Sequence, residues 1–338
     1  MMISIKEIAE QAGVSRTTVS NVIHGKTKKV SQETIDKITK IMEENGFVPT
    51  TIPKEETESA PKIIGMIVYH RVHGMVATQD TFVGEILGTI EKEIRKKGYY
   101  LTLISAETSE EVLAVANAWN VHGLIALGYP EEAYKKLKKK LNKKMILIDF
   151  YPENGENCLN IGVDDYDGGY QVGKYLYECG YKNALYLAEM DRGCDLHRWL
   201  GFKAAMEEQG EICSDDRYIL IGKDQGVRRH QYEKRMDEFL ACQALAFSSD
   251  YNAVEAMSIF SDFGYKVPDD LSIVGFDDNI YATLVRPKLT TVRQDVGEKG
   301  REVANLLLRM MDGEKITDLC IRNPVQLIKR DSVKDPNR

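Results

Sequence analysis

Residues 4–25 read SIKEIAEQAGVSRTTVSNVIHG, a stretch in which two short helical patterns meet at a glycine. The first pattern repeats small and apolar residues at helical spacing from Ile5 to Ala12, and Gly13 stands where a helix end favours left-handed backbone. Ser15 can cap a second helix with its own apolar face. The tight joint predicts a helix-turn-helix, whose second helix enters the DNA major groove.

The second predicted helix carries hydrogen-bonding side chains on its outer face. Arginine pairs with two acceptors of guanine and asparagine with an acceptor and a donor of adenine, so Arg16 and Asn21 can read bases. Lysines in the following loop can bind phosphates. A small interaction bundle whose polar face only meets water is the alternative. The predicted DNA-binding residues are Ser15, Arg16, Thr17, Thr18, Ser20, Asn21, His24, Lys28 and Lys29.

A third helix is predicted after Ser31, because apolar residues again recur at helical spacing as far as Met42. Residues 4–25 and their continuation, VSQETIDKITKIMEENGFVP at 30–49, resemble the N-terminal domain of the lactose-repressor (LacI/GalR) family. The resemblance implies an all-α DNA-binding headpiece over residues 1–48.

An acidic, proline-containing linker is predicted at residues 49–61, PTTIPKEETESAP. In the family the corresponding segment usually reads PNxxARSL and forms a hinge helix on DNA, whose leucine wedges into the minor groove. Aligned without gaps, this chain has Pro53 in place of the alanine and Glu56 in place of the leucine. A glutamate cannot act as an apolar wedge. We therefore expect this linker neither to read nor to bend the minor groove.

From Lys62 onward, continuous apolar runs alternate with helical patterns. Such runs predict parallel sheets covered on both faces by helices, and their number indicates two α/β lobes. In such sheets ligands bind beyond the carboxyl ends of the strands, so polar residues that follow strands are candidates for a binding site.

The same part of the chain resembles the family's effector domain, which is similar to periplasmic sugar-binding proteins. The blocks that carry the resemblance include RWLGFKAAMEEQG, from Arg198, and LSIVGFDD, which ends at Asp278. The resemblance implies two lobes joined by crossovers near residues 162, 291 and 322. Lobe one is then about 62–161 and 292–321, lobe two about 162–291 and 322–338, and the whole of 62–338 binds effector and dimerises.

Polar residues at the predicted strand ends suit a polyhydroxylated ring, since each hydroxyl is both donor and acceptor. Asp277 ends a strand, although a strand-terminal aspartate that caps a turn is the simpler reading. The resemblance gives Arg198 an effector-binding role, against the alternative of an exposed helix arginine. The loop 69–82 is longer than the family's connection and lacks its Asn-Pro-Phe-Phe. The predicted effector-binding residues are Tyr69, Phe82, Asp149, Arg198, Asp250 and Asp277.

Composition bounds the remaining possibilities. The net charge of −7 gives no overall attraction to nucleic acid or to membranes, and the sequence has neither a secretion signal nor a membrane span. Common enzyme motifs are missing, and His70 and His73 form a lone HxxH without a third metal ligand. A secreted solute receptor and a regulator that has lost DNA binding are the rivals. We expect a cytoplasmic repressor, without metal or cofactor, that binds a near-palindromic operator as a homodimer and a carbohydrate-like effector between its lobes.

Overall fold

Three helices form the described part of the N-terminal unit, residues 1–61, and an α/β unit spans residues 62–338. The computed structural model describes residues 4–23, 26–27, 29–45, 61–68, 71–73, 75–105, 108–152, 158–317 and 319–336. The N-terminal helices are α1 Ile5–Ala12, α2 Arg16–Ile23 and α3 Gln32–Glu44. The linker residues Pro53 and Glu56, and Gly46 at the predicted end of α3, lie outside the described residues.

Helix α1 has a well-formed cap at each end. The Ser4 hydroxyl accepts from the Glu7 N–H, and the Glu7 carboxylate accepts from the Ser4 N–H, which makes a capping box. Gly13 follows the helix with a φ of 72°, in the left-handed region that favours glycine. Three residues, 13–15, separate α1 from α2, which is the tight joint that the sequence predicted.

The headpiece core is small and uses one face of each helix. Ile8, Val19 and Ile38 are completely buried, one from each helix. Ile5, which fits the same apolar periodicity, is 37% exposed at the first turn of α1. Because α2 buries Val19 and Ile23, its polar residues must face outward.

The α/β unit contains fourteen strands or strand segments and ten α-helices among its described residues. The strands are β1 Lys62–Val68, β2 Arg71–Val72, β3 Met75–Val76, β4 Tyr99–Ile104, β5 Gly123–Leu127, β6 Lys144–Ile148, β7 Asn160–Val163, β8 Leu185–Ala188, β9 Tyr218–Leu220, β10 Ala244–Phe247, β11 Ser272–Asp277, β12 Thr290–Arg293, β13 Cys320–Asn323 and β14 Gln326–Ile328. The helices are α4 Thr81–Arg95, α5 Ser109–Ala118, α6 Glu131–Lys140, α7 Asp165–Glu178, α8 Gly193–Glu208, α9 Gln225–Lys234, α10 Met236–Cys242, α11 Asp250–Asp262, α12 Ile280–Leu284 and α13 Val296–Met311.

Twelve of these strands form two six-stranded sheets, one in each lobe, and β2 and β3 form a separate two-stranded antiparallel hairpin. The first has the order β13-β7-β6-β5-β1-β4 and is parallel throughout. The second has the order β14-β12-β11-β10-β8-β9, and it is parallel except for β14, which pairs antiparallel with β12. Each sheet has an apolar cluster on both faces, as expected for parallel strands covered by helices. The predicted two-lobed parallel fold is confirmed, with one antiparallel edge strand added.

The chain passes between the lobes three times. It leaves the first sheet after β7, returns between β12 and α13, and crosses again between β13 and β14. The strands that the crossovers join end at residues 163, 293 and 323, a little beyond the positions 162, 291 and 322 expected from the sequence. Polar residues near these crossovers can therefore contact both lobes.

Among the described residues, none of the helices has the length and apolar character needed to cross a membrane.

Candidate functional site

The outer face of α2 presents the side chains predicted to contact DNA. Ser15 accepts the Thr18 N–H at 3.1 Å, which caps the helix and fixes where it begins. Arg16 and Thr17 are exposed on the first turn, where a recognition helix contacts base edges. Thr18, Ser20 and Asn21 are half-buried along the helix, and Lys29 is exposed beyond it. The other two predicted contacts, His24 and Lys28, lie outside the described residues.

Charge placement separates α2 from its neighbours. Helices α1 and α3 carry carboxylates paired within the helix, Lys6 with Glu10 and Lys40 with Glu44. Helix α2 contains no carboxylate, and Arg16 is its only charged side chain. A phosphate-lined groove would therefore meet positive charge and no repulsion on this helix.

The cleft of the α/β unit contains a continuous chain of polar contacts from one lobe to the other. The Lys299 ammonium, completely buried on α13, donates to both carboxylate oxygens of Asp149 at 2.9 and 3.0 Å. It also donates to Gln294 Oε1 at 2.8 Å, and the Gln294 amide donates to Asp277 Oδ1 at 2.7 Å. Asp149 and Lys299 belong to lobe one and Asp277 to lobe two, so the amide of Gln294 bridges them at a crossover.

Arg198 lies buried in lobe two, against a carboxylate and an aromatic ring. Its Nε donates to Asp165 at 2.6 Å, its Nη1 donates to the carbonyl of Ser248, and its guanidinium stacks 3.6 Å from the centre of the Phe276 ring. Burial lowers the pKa of Arg198, but the charge of Asp165, acting together with Asp277 and other neighbouring groups, outweighs burial and raises it. Tyr151, in the segment between β6 and β7, donates its hydroxyl to the same Asp165. Arg198 is thus held rigidly at a joint between the lobes.

Close helix packing fixes the position of Arg198. A Cβ added at Gly201 of α8 would lie 1.8 Å from the Tyr166 carbonyl oxygen, and one at Gly169 of α7 would lie 1.8 Å from the Arg198 carbonyl oxygen. Only glycine permits the two helix backbones to approach this closely. The glycine of the block RWLGF is therefore needed to seat the arginine beside Asp165.

Asp250 and Asp277 lie close enough to influence each other. Asp250 is fully buried, and its oxygens accept from the Thr291 hydroxyl at 2.5 Å and the Asn279 N–H at 2.9 Å. Burial and then the charge of Asp277 raise the pKa of Asp250 well above its ordinary range. Burial likewise raises the pKa of Asp277 to about 6, against the charge of Arg198. Asp250 holds the lobe-two strand ends together, and Asp277 is the more accessible carboxyl.

Phe82 is half-buried on the first turn of α4, with the Lys299 ammonium 5.1 Å from its ring centre. A cavity of 390 Å³ opens beside it, between the two lobes. Its lining includes Phe82, Glu85, Asp277, Asn279, Gln294 and Arg293. Of the six residues predicted to bind effector, Phe82 and Asp277 line this cavity, whereas Asp149, Arg198 and Asp250 do not; Tyr69 lies outside the described residues.

Left-handed backbone is concentrated at the cleft. Asp149, Asp277, Asp278 and His73 have φ values of 51°, 122°, 55° and 52°. Non-glycine residues in this region are strained and persist only where their surroundings hold them, which is common at ligand sites. Asp149, Asp277 and Asp278 lie at the ends of strands that the sequence predicted, whereas His73 lies in the predicted loop 69–82.

His73, half of the HxxH pattern, contacts the opposite lobe. Its Nδ1 lies 2.5 Å from Glu189 Oε1, and its ring stacks on Tyr251. Among the described residues, no group of three or more histidine, cysteine or acidic side chains could hold a metal ion.

Four residues that make ion pairs or hydrogen bonds at the cleft were not predicted from the sequence: Asp165, Glu189, Gln294 and Lys299. The first three directly or closely follow β7, β8 and β12, so the rule that selects polar residues after strands could have found them. Lys299 gives no such signal, because it lies within a helix among other charged residues.

Comparison with known proteins identifies both units. Residues 4–50 match the family described as bacterial regulatory proteins, lacI family, and residues 174–333 match the periplasmic binding protein-like domain. The HTH-type transcriptional repressor PurR of Haemophilus influenzae (strain PittEE) is 29% identical over 318 residues, 91% of this chain and 90% of that protein. PurR of Histophilus somni (strain 129Pt) is 29% identical over 342 residues, 98% and 99% of the two chains.

Solved structures share the whole architecture. The transcriptional regulator CelR in complex with cellobiose has a TM-score of 0.71 at 21% identity, covering 98% of this chain and 99% of its own. The lac repressor dimer bound to operator and the anti-inducer ONPF has a TM-score of 0.69 at 22% identity, with the same coverage. With the helix-turn-helix headpiece and the two-lobed α/β unit, these matches show a lacI-family DNA-binding domain followed by a periplasmic binding protein-like domain, the organisation of a DNA-binding transcriptional regulator that responds to a small-molecule effector.

Proposed function

We propose that the chain is a cytoplasmic repressor that binds a near-palindromic operator as a homodimer. Its affinity for the operator falls or rises when a small polar effector binds between the lobes. The relatives named PurR are repressors, which supports this direction of regulation. They are regulators and not enzymes, which supports a binding role for the cleft. A solute receptor is disfavoured, because it would have no use for the α2 face.

Base recognition is assigned to α2. Arg16 stands exposed at its first turn, and the side chains of Thr17 and Asn21 follow on the same short helix. We propose that Arg16 reads a guanine, that Asn21 reads an adenine and that Lys29 binds phosphate. The expected discrimination is about 1–3 kcal/mol for each bidentate pair.

A two-fold dimer supplies the remaining specificity, because one headpiece makes few contacts. Lobe two exposes large apolar side chains that suit an interface: Leu220, Val227, Ile280 and Leu284 are 47%, 50%, 57% and 66% exposed. Ile280 lines the cavity between the lobes and Leu284 does not, so we place the dimer contact around Leu284. Analytical ultracentrifugation of Leu284→Glu tests it, with a shift to monomer expected.

The observation that carries the effector proposal is the polar chain that joins the lobes from Asp149 through Lys299 and Gln294 to Asp277. An effector that hydrogen-bonds to Asp277 or Asp149 competes with these contacts, so its binding changes how the lobes are held. Relatives of the fold were solved with cellobiose and with ribose, which supports a sugar or sugar derivative as the core of the effector.

Effector and operator are then coupled through the relative position of the lobes. Couplings of this kind are typically about 1–3 kcal/mol, or 5–150-fold in affinity, and are reciprocal. The linker 49–61 is proposed to transmit the change without placing an apolar wedge in the minor groove, since Glu56 replaces the leucine of the family's pattern. Glu56→Leu should therefore raise operator affinity and DNA bending, measured by anisotropy and circular-permutation gel assays; a fall in both would sink the idea.

The function is tested in two steps with the purified full-length chain. Selection from a random duplex library should yield a near-palindromic site. Differential scanning of thermal stability against sugars and sugar derivatives should then identify effectors, because a ligand that binds the native state raises the melting temperature. Arg198→Lys should lose this shift, whereas Lys203→Ala, a half-buried residue of the same helix that pairs with the exposed Asp215, should keep it. Selection of no site, or an equal shift in both variants, would overturn the proposal.

A further inference from the structure

His73 belongs to lobe one but is seated in lobe two. It follows β2, whose antiparallel hairpin with β3 lies between β1 and α4. Its Nδ1 lies 2.5 Å from Oε1 of Glu189, which follows β8. Its ring stacks on Tyr251 of α11, with centroids 4.9 Å apart and planes inclined by 15°. The planar imidazole ring of His73, from lobe one, thus packs against Glu189 and Tyr251 of lobe two.

Groups that accept hydrogen bonds surround the His73 ring, and they come from both lobes. The Nε2 of His73 lies 3.9 Å from Oδ2 of Asp80. The Asn252 side-chain amide donates to Glu189 Oε1 at 3.0 Å, which orients the carboxylate. Within the part of the chain that the structure describes, Asn252 Oδ1 is buried and has no hydrogen-bond partner. A buried acceptor without a partner needs an explanation, and a donor on a bound molecule supplies one.

The charges around the ring favour a cation. Burial lowers the pKa of His73, but the hydrogen bond and charge of Glu189, together with the charges of Asp80 and Asp277, outweigh burial and raise it above the ordinary value of 6.5. The pKa of Glu189 is lowered in return: burial raises it, but the hydrogen bond and charge of His73, together with the hydrogen bond from Asn252 and the charge of Arg228, outweigh burial. Each partner thus favours the charged form of the other.

Two further charged groups face this pair. Asp195 accepts the Glu189 N–H at 3.1 Å and adds negative charge. Arg228 lies 3.8 Å from Glu189, but two of its nitrogens are taken by Glu255. A neutral molecule that displaced His73 would leave Glu189 buried with only this distant, shared cation, and an uncompensated buried charge is costly.

We propose that Glu189, Asp80, Asn252 and Tyr251 form a subsite of the effector cleft for a planar cationic group, and that His73 occupies this subsite when no effector is bound. The proposal deepens the proposed function, because it assigns the effector a chemical class. The group that replaces His73 is flat, so that it stacks on Tyr251, and carries N–H donors and positive charge: an amidine, a guanidine, an imidazole or a protonated aminated heterocycle. His73 then competes with the effector for this subsite and lowers the apparent affinity of the protein for the effector.

The test uses His73→Ala in the full-length chain, with imidazole and pyrazole as probes. The two probes have rings of the same size, but at about pH 6 only imidazole is extensively protonated. Imidazole should recover about half or more of the melting temperature that the substitution removes. Pyrazole should recover little, and imidazole should do little for the double variant His73→Ala, Glu189→Gln. His230→Ala, an exposed histidine on α9, is the matched control and should not respond.

Equal rescue by imidazole and pyrazole would mean that the site is only a cavity of the right shape, and no rescue by either would mean that it binds nothing; both results overturn the proposal. These probes need neither operator nor effector, so the outcome is independent of whether the chain represses transcription.

A measurement on the otherwise unchanged protein guards against a folding defect in His73→Ala. The His73 resonances, followed by NMR, should titrate above 6.5 in wild type. In Glu189→Gln they should titrate below 6.5, because burial then acts with less opposition. A His73 pKa that is the same in both proteins would contradict the pairing on which the subsite rests.

Discussion

The headpiece and the effector cleft hold their functional side chains in opposite ways. On α2, Arg16 and Thr17 project into solvent from a helix held by a small apolar core. In the cleft, Lys299 and Arg198 are buried, and each is held by a carboxylate. A function built on exposed side chains can be removed without unfolding the protein. A function built on buried ion pairs is inseparable from stability, and the predictions below test that difference.

The largest effect is expected from Lys299→Met. The substitution leaves the Asp149 carboxylate without its cation, and breaking a buried pair by removing one partner costs about 3–5 kcal/mol. Urea denaturation of the α/β unit within the full chain measures the loss. The double variant Lys299→Met, Asp149→Asn should recover part of it, since no unpaired charge remains. If the single variant were as stable as wild type, the buried ion pair would have no structural role.

Gly201→Ala should also destabilise the cleft. The new methyl group would meet the Tyr166 carbonyl at 1.8 Å, so that α7 and α8 must separate, at a cost of about 1–3 kcal/mol or more. The displacement would move Arg198 away from Asp165 and weaken effector binding. Gly84→Ala is the matched control, because this helical glycine of α4 has no neighbour within 4 Å. The control should keep wild-type stability or gain up to about 1 kcal/mol.

Arg16→Ala should leave stability within about 0.5 kcal/mol of wild type, because the side chain is exposed. Its expected effect is on operator binding, a loss of about 1–3 kcal/mol with relaxed specificity at one base position. Fluorescence anisotropy on operator and on random duplex measures both quantities. Lys40→Ala on α3 is the control and should change neither. An equal loss on both duplexes would make Arg16 a phosphate contact.

Much of the fold could be read from the sequence because its signals are local. The caps at Gly13 and Ser15 and the continuous apolar strands each depend on a few neighbouring residues. The antiparallel pairing of β14 could not be read, since it depends on where a crossover returns to the sheet.

The candidate site was readable only in part. Asp149 and Asp277 follow strands, and the structure brings both to the cleft. The contact between His73 and Glu189 joins residues 116 positions apart, and no local pattern announces it. Nor does sequence distinguish the buried Lys299 from the solvated charges around it.

The smallest expected change is a gain of stability in Asp277→Asn. Burial raises the pKa of Asp277 from 3.8 to about 6, so the folded protein holds its proton more tightly than the unfolded chain does. That contribution is fully present below about pH 4 and is lost as pH rises through about 6. The uncharged asparagine should therefore stabilise the protein by about 1–2 kcal/mol at pH 7.5 and not at pH 4. Melting curves at both values measure it; a gain of equal size at pH 4 would contradict the burial of Asp277.

A ligand in the cleft is expected to change the affinity of the headpiece for its operator. Operator titrations with and without the sugar derivative that raises the melting temperature most measure this coupling. Wild type should show a 5–150-fold difference in Kd, the range expected for about 1–3 kcal/mol of coupling. Arg198→Lys should show none, with its ligand-free Kd close to wild type. A wild-type Kd that the ligand leaves unchanged would mean that the cleft does not control operator binding. A difference of equal size in both proteins would mean that Arg198 does not take part in the response.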